Sequence, residues 1–259
     1  PKLNTNCHEV REFIFNAAVH WINFGADGWR LDVAAEIDDD SFWEEFRHRV
    51  KTANPDAYIV AEIWHEAHRW LQGNQFDATM NYLVTAALMG WLVKDRLPAY
   101  SYTIGGMRNV LRPLTATEFG DRIEYLLGLY APEINYVQFN LLDSHDTPRF
   151  LTVAGEDESA LRLAYLFLLT YVGAPCIYYG DEIGMNGGPD PECRKAFNWD
   201  EASWNQGLRS YMKDLVRIRK QEGALRRGTY QRIYSDEDVI VFARQYQGDT
   251  VLVAINIGA

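Results

Sequence analysis

The sequence predicts an α/β protein: a partial TIM (β/α)8 barrel, about its last five strands, followed by the start of a small antiparallel β domain. Three observations carry this. Short apolar, β-branched runs alternate with helix-period segments, the pattern of right-handed βαβ units around a parallel sheet. Acidic residues close three of those runs, at Asp32, Glu62 and Asp146. Beyond Gly228 the alternation stops, and strand-like runs follow one another with polar turns between them.

Residues 8–24 place apolar side chains at helical spacing and end at Gly25, a helix-terminating residue. Residues 28–33 read as a short strand. Asp40-Ser41 can cap a helix running to about Asn54, with Pro55 at its end. Residues 58–62 (Tyr-Ile-Val-Ala-Glu) form a second strand, apolar until its last residue, as expected for one covered on both faces. Residues 76–81 are a weaker strand candidate, and a helix runs from Leu83 to about Asp95. The region 96–133 shows helical patches without clear boundaries. A strand at 136–142, an apolar helix at 156–172, a strand at 175–180 and a helix at 203–222 follow. Runs at 229–233, 239–245 and 250–257 begin the β domain. Five parallel strands are countable, where a closed barrel needs eight. The expected division is 1–225 for the C-terminal part of the barrel and 226–259 for the beginning of a C-terminal β-sandwich. The chain starts at Pro1 and stops at Ala259 inside a strand-like pattern, so it reads as a piece cut at both ends.

With 259 residues, 47% of them hydrophobic, the chain can bury a substantial core. Its net charge of −11, without a Lys/Arg run, argues against a nucleic-acid partner and is compatible with a neutral sugar. Cys7, Cys176 and Cys193 lack the pairing of a disulfide framework or a CxxC zinc site. Idle thiols in a reducing compartment, hence a cytoplasmic location, are the expectation. The longest apolar run, Leu161 to Val172, contains Arg162 and is too short for a membrane span.

Residues at the carboxyl ends of barrel strands converge on one mouth, and acids gathered there are the equipment of glycoside hydrolysis. Strand side chains alternate with period two, so Arg30 and Asp32 point the same way. A guanidinium beside a carboxylate favours its charged form, which suits a nucleophile; a purely structural Arg–Asp pair is the alternative. Glu62 ends an apolar strand, a setting that suits a proton donor. Trp64, two residues on, offers an aromatic face to a sugar ring, or belongs to the core. His145 and Asp146 can hold adjacent sugar hydroxyls, or bond only to each other. His65-Glu66-Ala67-His68 is one residue short of HExxH, which argues against zinc. Gly105-Gly106 and Gly187-Gly188 have no phosphate-loop spacing and read as turns, and no Gly-x-Ser-x-Gly supports a serine hydrolase.

Gly25–Asp32, Val60–Trp64 and Leu141–Arg149 resemble three signature regions of the α-amylase superfamily (glycoside hydrolase family 13). Gln75–Tyr82 and Gly180–Arg194 resemble its neopullulanase, cyclomaltodextrinase and maltogenic amylase branch, and the likeness covers nearly the whole chain. The resemblance implies Asp32 as nucleophile, Glu62 as general acid/base and Asp146 as transition-state stabiliser. It implies sugar contacts by Arg30 and His145, by Trp64 and Tyr82 on the leaving-group side, and by Asp190 and Arg194 on the other. The implied reaction is retaining hydrolysis of α-1,4-glucosidic bonds in α-glucan oligosaccharides or polysaccharides, with transfer to a second sugar as a variant. It needs no cofactor; a structural calcium ion would belong to a part N-terminal to this chain. Two departures stand out. Glu36 is kept but Ala35 replaces the Asn that often precedes it, which bears on acceptor preference, and the family's first signature region is absent. A non-catalytic carbohydrate-binding relative and an isomerase or transglycosidase on the same site are the alternatives. The exposed sheet edges lead us to expect association with the missing N-terminal half or with another copy.

Overall fold

The computed structural model describes residues 2–258. Helix α1 (His8–Phe24) turns at Gly25 into strand β1 (Gly28–Leu31). Helix α2 (Asp40–Ala53) is capped by Asp39, whose carboxylate accepts the backbone N–H groups of Ser41 and Phe42. The cap is therefore one residue earlier than Asp40-Ser41. Strands β2 (Tyr58–Ala61) and β3 (Ala78–Thr79) follow. Helix α3 (Tyr82–Val93) is apolar all round, and all twelve of its residues are buried, as a helix without a polar face must be. Helix α4 (Ala116–Gly128) starts at a Thr115/Glu118 capping box.

Helix α5 (Pro132–Val137) comes next, and strand β4 covers only Phe139–Asn140. Tyr136 and Val137, expected in the strand, are helical: Pro132 at the first helical position pre-sets the turn, and Ile134 and Val137 share a helix spacing. Helices α6 (Phe150–Val153) and α7 (Glu158–Thr170) precede β5, which covers Ala174–Pro175 instead of 175–180. Residues beyond it have no partner strand among the described residues on the side away from β4, so the ladder stops. Helices α8 (Gln206–Gln221) and α9 (Gly223–Arg227) close the α/β part.

β1, β2 and β3 pair in parallel, as do β4 and β5, and a parallel bridge between Met80 and Phe139 joins the two groups in chain order. Five parallel strands thus curve around a cavity of about 460 Å³, lined by Arg30, Val60, Met80, Leu141 and Cys176 among others. β6 (Thr229–Ser235), β7 (Val239–Tyr246) and β8 (Asp249–Asn256) form an antiparallel sheet. Phe242 of β7 packs edge-on against Phe167 of α7 at 5.7 Å. Arg244 is fully buried and donates to the carbonyls of Gly228 (2.8 Å), Thr229 (3.1 Å) and Thr170, tying this sheet to α7. Among the described residues no helix is long and apolar enough to cross a membrane.

Candidate active site

The strand register builds the site. Leu31 lies opposite Ala61, so the next residues, Asp32 and Glu62, emerge side by side; Glu62 N–H donates to Leu31 O at 2.9 Å. Arg30, one alternation before Asp32, shares its face and donates from Nη1 to Asp32 Oδ1 at 2.5 Å. Its Nη2 stands 3.2 Å from Glu62 Oε2 and 3.8 Å from Asp146 Oδ2. These last two are charge contacts without hydrogen-bond alignment, and Nη2 has no aligned acceptor among the described residues. A single guanidinium touches all three acids.

The three carboxylates sit in unlike surroundings. The Asp32 side chain is 76% exposed, Glu62 only 4% and Asp146 30%. Glu62 is held by two donors: Val33 N–H on Oε2 (2.9 Å) and Trp64 Nε1–H on Oε1 (3.1 Å). Val33 adopts a left-handed φ of 37°, a costly conformation for a β-branched residue and one that turns its N–H toward Glu62. Asp146 has His145 Nε2 3.0 Å from Oδ2 and accepts Arg194 Nη2–H on Oδ1 at 2.9 Å. Arg194 Nε serves both His145 O (2.8 Å) and the Asp190 carboxylate (2.9 Å). The long loop after β5 is thereby fastened to the loop after β4.

Other sequence candidates fall differently. Trp64 stacks on Tyr82, centroids 3.6 Å apart and planes 2° apart. Tyr82 is fully buried and has no open face for a sugar; its hydroxyl bonds Ser144 Oγ at 2.9 Å, which in turn accepts Asp146 N–H at 3.1 Å. Glu36 is exposed and pairs with Lys2; no hydrogen bond or ion pair among the described residues links it to the acids. His65 and His68 each bond a backbone carbonyl, Glu66 O and Leu129 O, rather than sharing a ligand.

Sequence reasoning missed the layer beneath. Arg149, completely buried, donates from Nη1 to Asp181 Oδ1 (2.8 Å) and Tyr179 O (2.8 Å) and lies over the Tyr178 ring at 4.5 Å. Tyr165 donates to Asp181 Oδ2 at 2.5 Å, and Asp143 accepts Phe150 N–H at 2.6 Å. Burial, and then the neighbouring Asp143 charge, push the Asp181 carboxyl well above the usual carboxylate range; burial raises Asp143 as well. Burial and the same two carboxyls push the Cys176 thiol up to about 11, so it is not a thiolate nucleophile at neutral pH. Asp143 and Arg149 both stand inside the segment that carries His145 and Asp146, which was the available signal. Asp181 gave none.

The catalytic-domain model of the α-amylase family matches residues 1–221, and the α-amylase C-terminal domain model matches 228–259. The chain belongs to the α-amylase family. It is 46% identical over 259 residues to a cyclomaltodextrinase of Geobacillus thermopakistaniensis, covering 99% of this chain and 41% of that protein. It is 42% identical over 258 residues to neopullulanase 2 of Thermoactinomyces vulgaris, covering 99% and 41%. Among solved structures, the native debranching enzyme of Nostoc punctiforme superposes with a TM-score of 0.94 at 44% identity, over all of this chain and 53% of that one. This α-amylase-family chain spans about two fifths of the length of the curated relatives it matches. The family neighbours are barrels, and the five parallel strands and the three-stranded antiparallel sheet are this chain's portion of that architecture.

Proposed function

We propose that this chain carries the acids of a retaining α-glucan hydrolase acting on α-1,4-glucosidic bonds. The carrying observation is the Arg30 guanidinium in contact with three carboxylates of sharply different exposure, carried beyond the carboxyl ends of β1, β2 and β4. Asp32, exposed and hydrogen-bonded to Arg30, attacks the anomeric carbon. Glu62, buried and steered by two donors, gives its proton to the departing oxygen as that bond breaks. The resulting glucosyl–Asp32 ester is cleaved by water, whose proton returns to Glu62, so the α configuration is restored. Asp146, set by His145 and Arg194, holds the sugar hydroxyls while the ring flattens; Asp190 reaches the sugar through Arg194. All three groups are side chains, so the chemistry calls for no cofactor.

The names of the relatives favour cyclodextrins, pullulan, starch or maltooligosaccharides as substrates, with a second sugar replacing water in transfer. The two edges of the parallel strands, unpaired among the described residues, and the cavity between them favour association with an N-terminal barrel half or a second copy. Three free thiols fit a cytoplasmic setting.

Azide separates the two roles in the full-length protein. Asp32→Ala opens the nucleophile's side of the sugar, so added azide yields the β-glycosyl azide. Glu62→Ala opens the acid/base side and yields the α-glycosyl azide. Swapped products, or none from either variant, would sink the assignment.

A further inference from the structure

Two glycines with no phosphate-loop spacing lie against the site. In the segment between α3 and α4, Gly105 has a φ of +38°, and a Cβ built there would stand 3.1 Å from Cε3 of the Trp64 indole. A Cβ on Gly106 would stand 2.6 Å from Trp64 Cβ, closer than real side chains come, and a tight 3.0 Å from Trp64 O. Tyr82 covers the indole from the other direction, its ring 3.6 Å away and parallel. The indole is thus clamped between a side-chain-free backbone and a buried tyrosine. What remains directed at the acids is its edge, and that edge donates Nε1–H to Glu62 Oε1 at 3.1 Å.

We propose that Gly105-Gly106 is a positioning pair for the acid/base: by admitting Trp64 to this seat it fixes the direction of the Glu62 carboxyl. The proposal rests on the hydrolase reading, in which Glu62 delivers the proton. The same clamp reaches Asp146, because Tyr82 bonds Ser144 and Ser144 accepts the Asp146 N–H. A methyl group at 106 would meet only backbone and Cβ atoms of Trp64, so the two segments must be pushed apart; the seat of the indole, and with it the N–H on Glu62, is what that displacement is expected to disturb.

The test compares two substrates on the full-length protein with Gly106→Ala. A maltooligosaccharide leaves as a sugar alkoxide and needs the Glu62 proton; α-maltosyl fluoride leaves as fluoride and needs little help. General acid catalysis contributes about 10²–10⁴-fold, so kcat/KM on the oligosaccharide should fall by about tenfold or more. On the fluoride it should fall by less than about threefold. Trp64→Phe, which keeps a stacking ring and removes the N–H, should show the same split and carries the test if Gly106→Ala does not fold. Equal losses on both substrates, or an unchanged oligosaccharide rate, overturn the proposal. A wild-type protein inert on both substrates would instead overturn the hydrolase reading, and the positioning role with it.

Discussion

Arg30→Met removes the cation shared by the three acids. As Glu62 gives up its proton, negative charge develops 3.2 Å from this guanidinium, and a full unit charge pair at an effective dielectric near 20 is worth about 5 kcal/mol. Asp32 is largely in water, so its share is screened and adds little. Desolvation of the guanidinium offsets part of the gain, leaving a net ~3–4 kcal/mol, which is roughly 10²–10³-fold in rate. The expectation is a loss of that size in kcat/KM on maltooligosaccharides, measured on the full-length protein with its melting temperature as a check on folding. Arg30→Lys keeps the charge but not the fork that faces two acids at once, so it should fall between. A Met variant that stays folded and retains activity within about fivefold of wild type would refute the shared-cation reasoning.

Arg149→Met leaves two buried carboxyls without their cation and should cost roughly 3–5 kcal/mol, seen as a lower melting temperature; a shift under a degree would contradict it. Because the Asp181 carboxyl holds its proton more tightly folded than unfolded, its own contribution to stability is fully present below the ordinary Asp range and is lost as pH rises through the raised folded value. Asp181→Asn cannot ionise and should flatten that decline in melting scans run upward in pH from the ordinary Asp range; an unchanged slope would count against the account. Arg244→Met strips three backbone carbonyls of their donor, and at about 1–3 kcal/mol for each unsatisfied group it should loosen the C-terminal sheet first. Hydrogen exchange should therefore rise in residues 229–256 before the parallel sheet; uniform exchange throughout would argue otherwise.

What the sequence made legible was local. Period-two alternation put Arg30 and Asp32 on one face, and the end of an apolar run marked Glu62, because both follow from a single strand's geometry. Strand ends were less legible: 175–180 reads as a strand by composition, yet a ladder needs a neighbour, and only Ala174–Pro175 has one. Residues 136–137 carry β-branched and aromatic character but follow Pro132 into a helix. Contacts between distant segments were not legible at all. Nothing in the spacing places Gly106 against Trp64, Asp181 beside Arg149 or Arg194 on Asp146; each needs the fold to join segments 32 to 48 residues apart. The resemblance implies a sugar contact by Tyr82, whereas its ring is buried and stacked on Trp64.

The central claim is a covalent glucosyl–Asp32 intermediate with Glu62 acting on both sides of it. Proton NMR of the first product released by the full-length protein from a maltooligosaccharide, recorded before mutarotation, tests this most directly. The α anomer of the newly formed reducing end should appear first and decay toward the equilibrium mixture. A β anomer appearing first would mean a single displacement by water, and Asp32 could then be no nucleophile and Glu62 no two-step acid/base.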